Sequence, residues 1–450
     1  MSDGILYTQD ISIKSCLITG SSGQILDFKN IVIEFNYFED IFSNGVSGAL
    51  VVNDSMGYIN ILQLQGSEVL TLELDKPGLG LPIKGNYRIY TVSDRKQTQS
   101  TNENYIIRFY SEELFLNEQY RVSKAYPKMK LSEIVSDIAL NYLKIPNQNL
   151  SIDATDGLRD IVVPNFKPIQ AINWIATFSL AGGFKNVGAP YLFYEDRDGW
   201  KFKSILNLFK QTVYKTYEYS AKGLKSEENS KITDLNSEIV NVIKYEHIKS
   251  FDSVSAVRSG TFSNKMHTVD PLRLKLGEVN FNYSQYLNKL PASLNDYKMP
   301  DSAKNRFGDS MSDTPGVIKF CVTSTGQNQN KYIQSKNVSI NENLVEDIVP
   351  LRTAQLALFC MHRMKLAIPG DVYMTVGRII QFNLPQISYN KESRKKTNDE
   401  FYSGKYLVTA VRHVYNQEGT FLSCIEICKE SSPTQFGSFN NSDPEWKNLR

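Results

Sequence analysis

The feature that most limits what this chain can become is a two-residue rhythm. Ile31, Ile33, Phe35 and Tyr37 occupy alternate positions, with Glu34 and Asn36 between them. Successive side chains of a strand point to opposite faces, so such a run reads as a half-buried strand. The rhythm recurs in Ile11, Ile13 and Leu17, in Leu70, Leu72 and Leu74, and in Tyr105, Ile107 and Phe109. Further strands are expected at 49–54 and 87–93. Turn-forming residues punctuate the series at Gly20-Ser21-Ser22-Gly23, Asn44-Gly45, Pro77-Gly78 and Gly85-Asn86. Residues 1–118 are therefore expected to form a small antiparallel barrel or sandwich.

The period then changes. Leu131, Ile134, Val135, Ile138 and Tyr142 repeat at helical spacing, with Pro146 stopping the helix soon after. A second helix is expected to open at Pro168, where the missing N–H costs nothing. It puts Ile169, Ile172, Ile175 and Ala176 on one face and is expected to end at Gly182-Gly183. An aromatic hairpin follows, Tyr191 to Phe202, turning near Asp198-Gly199. Residues 119–235 read as a mixed α+β segment.

Strands return from about 236 to 430. Ile239, Asn241, Ile243 and Tyr245 alternate, and a second strand is expected over 253–263. Residues 264–316 are rich in Asn, Ser, Asp and Pro and read as an excursion outside the core. With the strand at 318–323 and the helix at 348–361, the insertion runs to about 365. That helix carries Leu351, Ala354 and Leu358 on one face. Ile368-Pro369-Gly370-Asp371 has the composition of a type II turn. Strands at 362–368, 378–384, 405–415 and 420–429 are expected to complete a second barrel. Residues 431–450 show no period and read as a tail. The fold class is β-rich α+β, with two β blocks flanking an α+β block.

At 450 residues the chain has room for about three domains, at ~150 residues each. A 41% hydrophobic share is ordinary for a globular protein. Formal net charge is +2 with both signs interspersed, so no field for a freestanding nucleic-acid binder is built. Met1-Ser2-Asp3-Gly4 lacks a basic region and the first lysine is Lys14, so no secretion signal is expected. No apolar run approaches the ~18 residues of a membrane span, and no membrane insertion is expected.

A search for chemistry finds little. His247, His267, His362 and His413 are isolated, with no paired ligand spacing, and His413 falls in phase with Val411 and Tyr415 on a strand. Cys16, Cys321, Cys360, Cys424 and Cys428 are scattered and read as small buried hydrophobes. In a strand, Cys424 and Cys428 would stand ~13 Å apart, too far to bridge. Asp196-Arg197-Asp198-Gly199 resembles a calcium loop only until Lys201 and Asn207 occupy the positions that need Gly and Glu. A hairpin turn is expected there. Glu112-Glu113 and Glu227-Glu228 are adjacent acids expected to be solvated, and Arg394-Lys395-Lys396 reads as a solvated loop. No phosphate loop or nucleophile elbow is present in the sequence. No catalytic residue, cofactor or metal is expected.

The stretch EDIFSNGVSGALVVNDSMG, Glu39 to Gly57, with the step Gly66-Ser67-Glu68, is similar to the amino-terminal barrel of baseplate hub proteins of T-even-like contractile phages. KPIQAINWIA (167–176) and PYLFYEDRDGWKF (190–202) resemble that family's second-domain helix and hairpin. IPGDVYMTVGRIIQFNLP (368–385) and SGKYLVTAVRHVYN (403–416) resemble strands of its second barrel. The segments follow one another in the family's order.

The resemblance implies two tube-type antiparallel β-barrel domains, residues 1–118 and 236–430, around an α+β domain at 119–235. It implies a homotrimer whose six tube-type domains form a pseudo-hexameric ring in the virion tail baseplate, assembled in the host cytoplasm. Implied partners are the central spike protein, tail tube or tube-initiator proteins, the tape measure protein and baseplate wedge proteins. DNA would pass only transiently through the lumen. Lytic activity in such tails belongs to the spike. Phe38, Ile41 and Phe42 are candidate protomer contacts, too apolar for a solvated turn, with packing inside their own barrel as the alternative. Phe436, Phe439 and Trp446 are candidate docking residues of the tail. A competing class is a phage-borne glycan hydrolase or carbohydrate-binding protein, which would need an aromatic platform and a carboxylate pair in one cleft.

Overall fold

The alternating runs near the amino terminus fold as strands. The computed structural model describes residues 12–433 except 76–82, 99–100, 183–189, 220–239, 250–251, 272–273, 287–292, 299–303, 305, 323–344, 360, 387–397 and 418. The first block contains β1 (Ser12–Thr19), β2 (Ile25–Asp27), β3 (Val32–Asp40), β4 (Ser47–Asp54), helix α1 (Tyr58–Leu62), β5 (Val69–Asp75), β6 (Ile83–Gln97) and β7 (Glu103–Ser111). Phe35, Tyr37, Leu50, Leu70, Leu72 and Phe109 share its core. Gly85-Asn86 is not a turn. Both residues lie within β6, opposite Leu72 and Thr71. Glycine is needed there because a Cβ would stand 2.6 Å from the Tyr87 hydroxyl. At the step Gly66-Ser67-Glu68, the buried Glu68 carboxylate accepts from the backbone N–H groups of Gln65 and Gly66 at 2.7 and 2.8 Å. Pro77-Gly78 lies outside the described residues.

The middle block follows with α2 (Glu112–Gln119), β8 (Val122–Lys130), α3 (Leu131–Asn141), β9 (Leu150–Ile152), β10 (Leu158–Phe166), α4 (Pro168–Ala176), β11 (Tyr191–Asp196), β12 (Gly199–Ser204), α5 (Ile205–Phe209) and β13 (Val213–Glu218). The apolar faces read for α3 and α4 meet in one core with Tyr191, Phe193, Trp200 and Phe202. Cross-strand ring pairs fill the hairpin, Tyr191 on Phe202 at 4.7 Å and Phe193 on Trp200 at 5.0 Å. Helix α4 stops at Ala176, short of Gly182. Thr177 ends it by donating its hydroxyl to the Trp174 carbonyl at 2.6 Å. Gly183 lies outside the described residues.

The remaining elements are β14 (Lys244–Lys249), α6 (Ser253–Ser259), β15 (Ser263–Asp270), β16 (Lys275–Asn282), α7 (Tyr283–Tyr286), β17 (Tyr297–Lys298), β18 (Val317–Val322), α8 (Val345–Phe359), β19 (His362–Pro369), β20 (Ile379–Asn383), β21 (Gly404–Asn416), β22 (Phe421–Lys429) and β23 (Ser431–Ser432). The alternation at 239–245 becomes a strand only from Lys244, with Ile239 outside the described residues. Residues 253–259 are helical rather than extended. Asp252 caps their first turn by accepting from Ser255 N–H at 2.8 Å, and Gly260 closes the last at φ 75°.

The stretch from 264 is not an irregular excursion. β16, β15 and β18 form a three-stranded sheet, and Phe262, Phe281, Leu351 and Leu358 pack a separate small core beside it. Nor is 368–371 a type II turn. Gly370 has no positive φ, and Pro369 pairs with Leu422 inside β19. Glycine is required because a Cβ would lie 1.8 Å from the Phe421 ring. Ser431 and Ser432, read as the start of the tail, are buried and pair with Lys298 and Tyr297.

The two barrels do not close among the described residues. β3 presents its second edge to β21, with Glu39 opposite Val411, Tyr37 opposite His413 and Phe35 opposite Tyr415. First and last blocks therefore share one 13-stranded sheet in the order β14-β19-β22-β21-β3-β4-β7-β6-β5-β1-β2, with β20 and β13 branching from β21. An edge that closure would need is already occupied. The seam between blocks takes the backbone pairing that barrel closure would have used.

Candidate functional site

The sheet seam positions the residues singled out as contacts. β3 runs outward to Asp40 and the chain then turns, with Phe42 N–H held by the Asp40 carboxylate at 2.7 Å. Phe38 and Phe42 remain 37% and 48% exposed, whereas Ile41 is 1% exposed. Ile41 packs with Val411, Met364 and Phe359 in the last block's core, so it serves its own chain. The Arg412 guanidinium lies over the Phe38 ring at 5.7 Å, and Phe42 meets Phe359 at 6.3 Å. Beside Phe38 runs an open groove of about 540 Å³ whose lining includes Tyr245, Ala367, Arg412 and Glu426. Phe436, Phe439 and Trp446 lie outside the described residues.

A second cleft, about 480 Å³, separates the hairpin from the 375–379 segment and includes Asp153, Lys201, Lys203, Gln211 and Arg378. Its charges are largely committed. Lys203 pairs with Asp153 at 2.8 Å, and Lys201 pairs with Asp196. Asp196-Arg197-Asp198-Gly199 is a hairpin turn, with Asp196 opposite Gly199.

Ser423 and His413 stand 2.9 Å apart, with Asp371 nearby, which superficially resembles a nucleophile and base. Both side chains are buried, and the serine hydroxyl already accepts from Asp371 N–H at 3.1 Å. The second imidazole nitrogen lies 3.0 Å from the Met374 carbonyl, not a carboxylate. Burial pushes the His413 imidazole down to about 4, so it stays neutral. This is a packing histidine that ties β21 to β22 and the 371–376 segment. His362 is likewise buried and pushed down to about 3 by burial. No group of three or more His, Cys, Asp or Glu is placed to hold a metal ion among the described residues. Cys16 and Cys428 are buried, but Cys424 is exposed, contrary to the expectation for all five thiols, and Cys360 is outside the described residues.

Four acids that sequence reasoning did not bring together meet at the junction of the blocks. Glu39 reaches from β3, Glu195 and Asp196 from β11, and Glu113 from α2. Glu112 pairs with Arg88 at 2.7 Å, whereas Glu113 is half-buried and burial raises its carboxyl. Burial, with neighbouring carboxylates second, pushes Glu39 and Glu195 each up to about 8. A signal was available: Glu39 is in phase with Phe35 and Tyr37, and Glu195 with Tyr191 and Phe193. The pair Glu227-Glu228 and the Arg394-Lys395-Lys396 loop lie outside the described residues.

No family model matches the sequence. The chain is 22% identical over 419 residues to the probable baseplate hub protein gp334 of Vibrio phage KVP40, covering 90% of this chain and 92% of that one. Its fold is similar to the tail protein from Neisseria meningitidis MC58, with TM-score 0.51 and 10% identity over 92% of this chain and 96% of that chain. The 43 kDa tail protein of prophage MuSo2 from Shewanella oneidensis gives TM-score 0.51 and 8% identity, over 93% and 98% of the two chains. The two structures share the fold, and the sequence likeness runs nearly end to end: the chain is distantly similar to a phage baseplate hub protein.

Proposed function

We propose that this chain is a structural, non-enzymatic hub of a contractile phage tail, acting as a trimeric ring between a sixfold tail tube and a threefold central spike. The observation that carries the reading is the seam between β3 and β21, which sets two β blocks of one chain side by side in a single sheet. Three such chains supply six β blocks, the arithmetic that a threefold-to-sixfold adaptor requires. The proposed units are residues 1–118 and 236–430 as tube-type domains, with 119–235 between them and an insertion at about 264–365.

In this reading Phe38 and Phe42 meet a neighbouring protomer. The spike, the tube or its initiator, the tape measure protein and baseplate wedge proteins are the partners, and DNA crosses the lumen during ejection. Near-zero net charge suits such a lumen, because counterion release would otherwise hold DNA against the wall. Phe436, Phe439 and Trp446 are proposed to dock on a neighbour in the assembled tail. Mass photometry of the hub co-expressed with its spike tests the ring. Three hub copies per complex are expected, and two or six would refute it.

A further inference from the structure

Strand β18 ends the three-stranded sheet of the inserted region, whose order is β16-β15-β18. β15 pairs with one edge of it in parallel, with Met266 opposite Lys319 and His267 opposite Phe320. Among the described residues no strand pairs with the other edge. The side chains of β18 alternate between two unlike faces. Ile318, Phe320 and Val322 point outward and are 55%, 76% and 72% exposed. A row of Leu276, Val269 and Val322 carries this apolar surface across the sheet. Glu278, an acid on the same face, is already paired with Lys265 at 2.7 Å.

The other face packs on helix α8, where the Asn264 amide donates to the Pro350 carbonyl at 3.0 Å. Lys319 points inward there and donates to the Thr353 hydroxyl at 2.7 Å. Arg352 is near it, with its Nε buried and without a hydrogen-bond partner among the described residues. No carboxylate among the described residues faces either cation, and burial pushes both groups down. Two half-buried cations without a counter-charge are costly to hold together.

An open edge with an apolar outer face is a template for another strand. Lys319 decides which strand is admitted. Residues directly opposite across a strand pair share a face, with Cβ atoms about 4.5–5.5 Å apart. A second β18 would bring its own lysine to the inner face, where like charges repel. A carboxylate opposite Lys319 would instead accept from the ammonium, and its two chain neighbours would fall beside Ile318 and Phe320. Outside the described residues this chain has no acid flanked on both sides by hydrophobic residues. Pro444-Glu445-Trp446 comes nearest, and its proline lacks a backbone donor.

We propose that the free edge of β18 is a strand-addition site for an extended segment of another protein, seating an acidic residue against Lys319 and Arg352 between two apolar residues beside Ile318 and Phe320. Backbone pairing supplies affinity, and the alternating side chains select the partner.

Fluorescence anisotropy on the intact protein tests this with two blocked, labelled peptides that differ only at their centre, Val-Glu-Val or Val-Lys-Val. The glutamate peptide should bind at least about tenfold more tightly, because its carboxylate gains a charge-assisted hydrogen bond. It should also slow amide hydrogen exchange at 317–322 and leave α3 unchanged. The double variant Lys319→Met, Arg352→Met should bind both peptides alike. Should that variant not fold, Phe320→Thr, at an exposed position, should weaken the glutamate peptide. Absence of binding at millimolar peptide, equal affinity for the two peptides, or protection elsewhere than 317–322 would overturn the site.

Discussion

Arg412 and Asn36 lie 376 positions apart in sequence and are joined by a 2.9 Å hydrogen bond from the guanidinium Nε to the amide oxygen. The bond crosses the β3–β21 seam, where the first and last blocks become one sheet. A seam of such high sequence separation forms late, because a long loop must close before any contact rewards it. Until then β3 offers a free edge. A chain cut after residue 403 should therefore lose β21 and β22, expose that edge and the Ile41 side of the core, and aggregate. Size-exclusion chromatography should recover it in the void volume, while the full chain elutes as discrete species.

Gly370 should be intolerant of any side chain. A Cβ there would stand 1.8 Å from the Phe421 ring, and Phe421 is buried in the first block's core. Gly370→Ala is expected to cost about 1–3 kcal/mol through overpacking, read as a lower Tm. If the ring is the cause, adding Phe421→Leu should recover part of that loss, so the two substitutions should be strongly non-additive.

The same glycine shows where sequence and structure part. Pro369-Gly370 carries a turn signature, but the requirement comes from a ring 51 residues later that no local pattern announces. Strands such as Leu70-Leu72-Leu74 were legible because their period is local and their inner face is buried. Ser253–Ser259 reads as extended because Val254 and Ala256 alternate like a strand, while the caps Asp252 and Gly260 mark the helix. The β3–β21 pairing left no trace, since register between remote strands depends on neither one alone. Of the contact trio, hydrophobicity singled out Phe38, Ile41 and Phe42 alike, and only burial separates Ile41 from the other two.

Asn295 is expected to anchor the inserted region. Its amide nitrogen donates to the carbonyls of Lys405 and Ser431 at 3.1 and 3.2 Å, and its amide oxygen accepts from Lys405 N–H at 2.9 Å. Asn295→Ala leaves the buried Ser431 carbonyl and the part-buried Lys405 groups without these partners, at about 1–3 kcal/mol. Limited proteolysis should then cut near 293–298 sooner, with α3 and the first block unaffected.

Lys429 gives a pH dependence of definite sign. Burial pushes its ammonium down from 10.5 to about 7, although it donates to the carbonyls of Phe401 and Ser403. Between those values the unfolded chain binds the extra proton, so this group's contribution to stability rises with pH across about 7 to 10.5. The slope is bounded at about 1.4 kcal/mol per pH unit. Lys429→Met should remove the rising limb. Urea unfolding at pH 7, 8.5 and 10 should show the stability gap between the two proteins changing in favour of the lysine as pH increases.

The three contact candidates should separate cleanly. Ile41 is 1% exposed within the last block's core, so Ile41→Ala should cost about 2–5 kcal/mol and lower the Tm of the isolated protein. Phe38 and Phe42 are more than a third exposed, so Phe38→Asp and Phe42→Asp should shift the Tm little. If these rings meet a neighbouring copy, however, burying a new carboxylate at that contact is costly. Mass photometry with the spike present should then show fewer three-copy assemblies for both aspartate variants at unchanged monomer stability. Wild-type assembly by Phe38→Asp and Phe42→Asp would move the protomer contact away from the end of β3.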